Sequence, residues 1–109
     1  MSGVEILRFH KVVKVENENG RAHLHPKCSE CGPWLDHWQN HTGKTSFFCT
    51  VEGCTNLSEV GAHVYLPDDK RAFIVPMCKS HNGAKGPLPI FAGTEFVHAS
   101  QQACAEANK

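Results

Sequence analysis

Cys49-x4-Cys54 and, after 23 intervening residues, Cys78-x2-His81 form two pairs of soft and imidazole donors. Thiolate sulfur and imidazole nitrogen are the ligands of tetrahedral zinc, and a spacing of two to four residues lets one turn aim both donors of a pair at a common point. Four protein ligands leave no open position, so this set specifies a structural ion rather than a Lewis acid acting on substrate. The paired spacing carries the reading, because isolated cysteines are as often small buried hydrophobes. Cys28-x2-Cys31-Gly32 is a second half-site, in which the glycine lets backbone N–H groups turn toward the sulfurs. His37 and His41, four residues apart on a predicted helix, are candidates to complete it. His25 and Cys104 are rival donors, and a metal-free thiol pair is the simpler alternative. The expectation is one zinc ion, with a second zinc left open.

Other residues invite chemistry less specifically. His63 stands between Ala62 and Val64, where it reads as a zinc ligand or a hydrogen-bonded core residue, the latter being the commonest fate of a lone histidine in an apolar strand. Trp34 and Trp38 could stack on bases, but two tryptophans at i and i+4 beside Leu35 are the pattern of a buried helix face. Lys79 and Lys85 are a thin footprint for phosphates. Cys78 is a poor candidate nucleophile, since a metal-bound thiolate is already engaged.

Turns, strands and one helix must position these donors. Val4 to Val15 is rich in branched and aromatic residues, and Asn19-Gly20 suits a tight primed turn, which predicts a hairpin with Ala22 to His25 as its return strand. Pro33 fits the first position of a short helix that ends near Thr42-Gly43. Val60 to Leu66 and Arg71 to Val75 read as a second hairpin across Pro67-Asp68-Asp69. After Cys78, the residues Gly83, Gly86 and Pro87 allow at most one helical turn before an extended piece at Pro89 to Phe91. Thr94 to Ala99 reads as a last strand, and 101–109 as a short helix or a frayed tail.

Composition narrows the class. The 109 residues carry 11 Lys+Arg against 11 Asp+Glu, divided five and five up to His41 and six and six beyond it. Neither half is a polyelectrolyte, which argues against an electrostatic nucleic-acid coat or a polybasic membrane arm. With 40% hydrophobic residues and 15 Gly plus Pro, so short a chain buries a modest core and needs a staple. The absence of a long apolar run and of a signal-like start leads to the expectation of a soluble, cytoplasmic protein in which six cysteines serve metal rather than disulfides.

Cys49-Thr-Val-Glu-Gly-Cys54, His63, and Val75-Pro-Met-Cys78-Lys-Ser-His81-Asn82 together resemble the zinc-stapled branch of the HNH endonucleases over residues 49–82, about a third of the chain. The resemblance implies a ββα treble clef with Cys49, Cys54, Cys78 and His81 as structural ligands, His63 as the general base and Asn82 in place of a metal-binding histidine. This sequence departs from that pattern. Ala62 replaces the carboxylate that would bind the catalytic ion, Phe73 replaces the middle asparagine, and glycines cut the helix short, so phosphoryl-transfer machinery is incomplete. The strings Trp34-Leu-Asp-His-Trp38, Gly61-Ala-His-Val64 and Cys78-Lys-Ser-His-Asn82 also look like those of small uncharacterised bacterial and phage zinc-binding proteins. The combined reading is one α+β zinc-stapled domain spanning 1–109. Within it, 1–43 carries the N-terminal β-hairpin and Cys-x2-Cys knuckle, 44–86 the HNH-like ββα centre with a truncated helix, and 87–109 an extension. As a function, an interaction module for DNA, RNA or a protein is favoured over a divergent metal-dependent nuclease.

Overall fold

The computed structural model describes residues 4–18, 28 and 30–100. Its strands are β1 (Ile6–Arg8), β2 (Val13–Asn17), β3 (Val60–Tyr65), β4 (Ala72–Met77), β5 (Leu88–Ile90) and β6 (Glu95–His98), with helices α1 (Trp34–Thr42) and α2 (Lys79–Asn82). All six strands join one antiparallel sheet in the order β1-β6-β4-β3-β2-β5. β4 is its centre because Phe73 through Met77 are apolar and buried on both faces, the pattern of a strand with no solvent side. β3 pairs with it along its whole length, from Val60 opposite Met77 to Tyr65 opposite Ala72.

The sheet curls on itself. Beyond β5, the segment from Thr50 to Glu52 accepts and donates backbone bonds with Pro89 and Phe91, while the Thr50 N–H donates to the Pro76 carbonyl of β4. A near-closed ring results, and closure of this kind leaves few unpaired edge groups. Because side chains alternate across a strand, β4 feeds two separate cores. Phe73, Val75 and Met77 join Val15, Val51, Ala62, Val64, Ile90 and Phe96 inside the ring. Ile74 joins Val4, Val97, Trp34 and Trp38 outside it, under α1.

Helix α1 begins after Pro33, whose extended backbone has no amide hydrogen to leave unpaired, and it stops at Gly43 in the left-handed region (φ 71°), where the N–H bonds back to Gln39. Both ends follow the usual proline and glycine asymmetry. The helix lies unusually close to the sheet. A Cβ on Gly61 would stand 2.5 Å from the Leu35 nitrogen and the Trp34 carbonyl carbon, so strand and helix backbones meet there only because the residue is glycine.

One expectation is corrected: Val4 to Val15 is not one continuous strand, since β1 pairs with β6 and β2 with β3 and β5, at different places in the sheet. The bend at Phe9 to Val12 is held by the far end of the chain, where the Gly93 N–H donates to the Phe9 carbonyl. The Asn19-Gly20 turn, the return strand from Ala22 to His25 and the tail 101–109 fall outside the described residues. The one-turn helix after Cys78 and the strands near Pro89 and Thr94 are present close to their expected bounds.

Candidate metal centres

The first centre sits at the mouth of the ring. Cys49 and Cys54 flank a turn closed by the Cys54 N–H on the Val51 carbonyl, with Gly53 left-handed (φ 81°) at its apex. Cys78 precedes α2 and His81 lies in it. The donors of all four residues fall within 4.8 Å of one another. His81 Nδ1 is 3.3 Å from Cys78 Sγ and 3.6 Å from Cys49 Sγ, against about 3.6 Å between sulfur and nitrogen across a zinc tetrahedron. The Asn17 amide of β2 donates to the His81 and Ala84 carbonyls at 2.6 and 3.1 Å, fastening α2 to the sheet. The Asn56 amide reaches Cys78 Sγ at 3.8 Å. Burial pushes the Cys49 thiol up to about 11, against the pull of backbone donors at Cys78 and Val51. Burial acts the same way on Cys78, but the His81 backbone N–H and the Asn56, Cys49 and His81 side chains bring it down to about 7. Cys78 is therefore the readier thiolate of the two.

The second set lies outside the ring. Cys28 and Gly32 exchange backbone bonds of 2.8 and 2.9 Å, with Gly32 left-handed (φ 87°), so the turn between them is tight. Cys28, Cys31 and His37 place one donor each within 4.8 Å of the others. His37 is fully buried. Its Nε2 is 3.0 Å from the His98 carbonyl of β6, while its Nδ1 has no hydrogen-bond partner among the described residues. His41 stands one turn on, its Nε2 3.9 Å from Cys31 Sγ and its ring 4.7 Å from that of His37. Burial lowers the pKa of both imidazoles; for His37 the His98 carbonyl opposes this and the nearby His41 and His98 add to it. His25 and Cys104 lie outside the described residues.

The remaining sequence candidates are dispersed. His63 is half-buried under α1, edge-on to Trp34 at 4.8 Å. Asn82 is exposed on α2, whose neighbours Cys78 and Ala84 belong to the core within the ring. Trp34 and Trp38 are buried, and Trp38 Nε1 donates to the Glu95 carbonyl at 2.7 Å, so they serve packing rather than base stacking.

Sequence reasoning missed an apolar display beside the first centre. The Phe48 and Leu57 backbones bridge across the Cys49–Cys54 turn, leaving Phe47 at 67%, Phe48 at 59% and Leu57 at 64% exposure. A cavity of about 310 Å³ opens next to them, lined by Trp38, Lys44, Phe47, Phe48, Phe91 and Glu95 among others. Glu95 is buried there and bridged by Lys44 and by Arg8 at 3.2 Å. The available signal was Phe47-Phe48 abutting a candidate ligand, Cys49. Among the described residues no helix is long and apolar enough to cross a membrane. No protein-family model matches the chain, and neither curated proteins nor solved structures yield a match.

Proposed function

We propose that the chain is a zinc-binding interaction module, in which a structural ion held by Cys49, Cys54, Cys78 and His81 fixes the turn that displays Phe47, Phe48 and Leu57 to a partner. The convergence of those four donors within 4.8 Å carries the reading. They span both sides of the β3–β4 hairpin, so an ion there joins segments that the small core alone holds weakly. Contiguous exposed aromatic surface marks an interaction site, and zero net charge favours a protein partner over DNA or RNA, whose binding draws on an excess of cations.

The order of ligand pair, hairpin, ligand pair and one-turn helix supports an HNH-like scaffold that has lost its catalytic ion site. Ala62 is buried in the inner core and His63 packs against Trp34, which supports a binding role over hydrolysis. Zinc content of the purified protein, followed by partner binding with Phe47→Ala and Phe48→Ala, tests the proposal. Retention of the native spectrum without metal overturns the staple. Plasmid cleavage with Mg²⁺ that disappears in His63→Ala restores the nuclease reading. Oligonucleotide binding that weakens with salt and in Lys79→Ala or Lys85→Ala moves the partner from protein to nucleic acid.

A further inference from the structure

We infer that Cys28, Cys31, His37 and His41 hold a second zinc ion on the outer face of the sheet, with His37 ligating through Nδ1. This goes beyond the staple proposed above and is independent of it. The first observation is the His37 ring. A fully buried imidazole whose Nε2 already faces the His98 carbonyl must carry its proton on Nε2, which leaves a lone pair on Nδ1 with no hydrogen-bond donor among the described residues. An unsatisfied buried acceptor is costly. A cation supplies the missing partner, and a backbone carbonyl on the opposite nitrogen is the usual outer support of a metal-bound histidine, fixing tautomer and ring orientation together.

The second observation is the knuckle. Its paired backbone bonds and left-handed Gly32 bring Cys28 and Cys31 to one side of a turn, with donors within 4.8 Å of each other and of His37.

The third is His41. At i+4 it shares the helix face of His37, and its Nε2 lies 3.9 Å from Cys31 Sγ, close to the roughly 3.6 Å of two ligands on one zinc. Two thiolates and two imidazoles select zinc over the hard cations, which prefer oxygen. The ion would join the knuckle to α1 and, through His98, to β6.

The test uses the full chain saturated with zinc and freed of excess metal. Two ions per chain are expected, falling to one in Cys31→Ser and in His37→Gln. Cys31→Ser should keep a cooperative melt, which marks the ion that remains as the inner one, so failure of the two sites is distinguishable. His41 is partly exposed, so His41→Ala keeps the fold and releases the second ion to a chelator at least about tenfold more readily, the least that loss even of an outer-shell partner costs. On cadmium-loaded wild type, two ¹¹³Cd resonances are expected, one of them coupled to His37 Nδ1. One ion in wild type that persists in Cys31→Ser, or a Cys28–Cys31 disulfide in the native protein, overturns the site. Coupling to Nε2 overturns the His37 assignment, and an unchanged chelator profile in His41→Ala overturns the fourth ligand.

Discussion

The two donor sets use the same chemistry in different architectural positions. The outer set, from Cys28 to His41, is drawn from a knuckle and the helix that follows it, so its members are neighbours in sequence before they are neighbours in space. The inner set takes one pair from before the β3–β4 hairpin and the other from after it, and can close only when that hairpin has formed. An ion that bridges distant segments offsets the entropy of closing the loop between them, whereas an ion within one local motif restrains little that the helix does not already restrain. The inner centre therefore belongs to the fold as a whole, and the outer centre to the seating of α1.

The largest effect that would test this division is loss of the inner ion. Structural zinc contributes on the order of 10 kcal/mol in small domains, so Cys78→Ser should abolish the cooperative thermal transition. Loss of the outer ion, in Cys31→Ser, should leave a cooperative melt at lower temperature. Equal collapse in both variants would break the comparison.

Gly61→Ala sharpens it from the other side. The new Cβ would meet backbone atoms of Trp34 and Leu35 at 2.5 Å, which no side-chain rotation relieves. The expected cost is about 3 kcal/mol, with α1 displaced, weaker metal affinity at Cys28 and Cys31, and unchanged affinity at the inner centre. Denaturant unfolding with metal titration would measure both.

Asn17→Ala should act in the opposite sense. It removes two bonds that hold α2 beneath His81, a loss of about 2 kcal/mol. The inner ion should then exchange faster, with the outer one unaffected. The smallest effect lies away from either centre. Hydrogen bonds from Arg71, with its charge beside them, hold the Asp69 carboxyl down at about 2 and lower Glu5 as well. A depressed carboxylate stabilises the fold above its unfolded pKa of about 3.9 and loses that contribution as pH falls through the folded value. An NMR titration of Asp69 should show its pKa return toward the ordinary range in Arg71→Ala, with the spectra of both clusters unchanged at neutral pH.

What was legible in the sequence was local. The β3–β4 hairpin announced itself through apolar runs around Pro67-Asp68-Asp69, α1 through Pro33 and Gly43, and the inner ligands through two short spacings. The placement of β1 and β2 was not, because strand partners are chosen by distant segments: nothing in Val4 to Val15 specifies β6 on one side of the sheet and β5 on the other. The pairing of His37 with the His98 carbonyl was hidden for the same reason. Gly61 looked like any strand glycine, since close approach is a property of the helix packed on it. The buried faces of Trp34 and Trp38 followed from their spacing, whereas the adjacent Phe47 and Phe48 have no spacing that tells exposure from burial.

The strand order β1-β6-β4-β3-β2-β5 also orders events in time. Strands β3 and β4 are joined by a short turn and pair along six residues, so their contact can form while the rest of the chain is still searching. β1 meets β6 from the opposite end of the described chain, through only three paired positions, Ile6, Leu7 and Arg8, and its loop-closure entropy is recovered only once β4 and β6 are already together. The outer edge is thus the last part of the sheet to be added on refolding and the first to open. Native-state hydrogen exchange should show the amides of β1 released at denaturant concentrations that leave β3 and β4 protected.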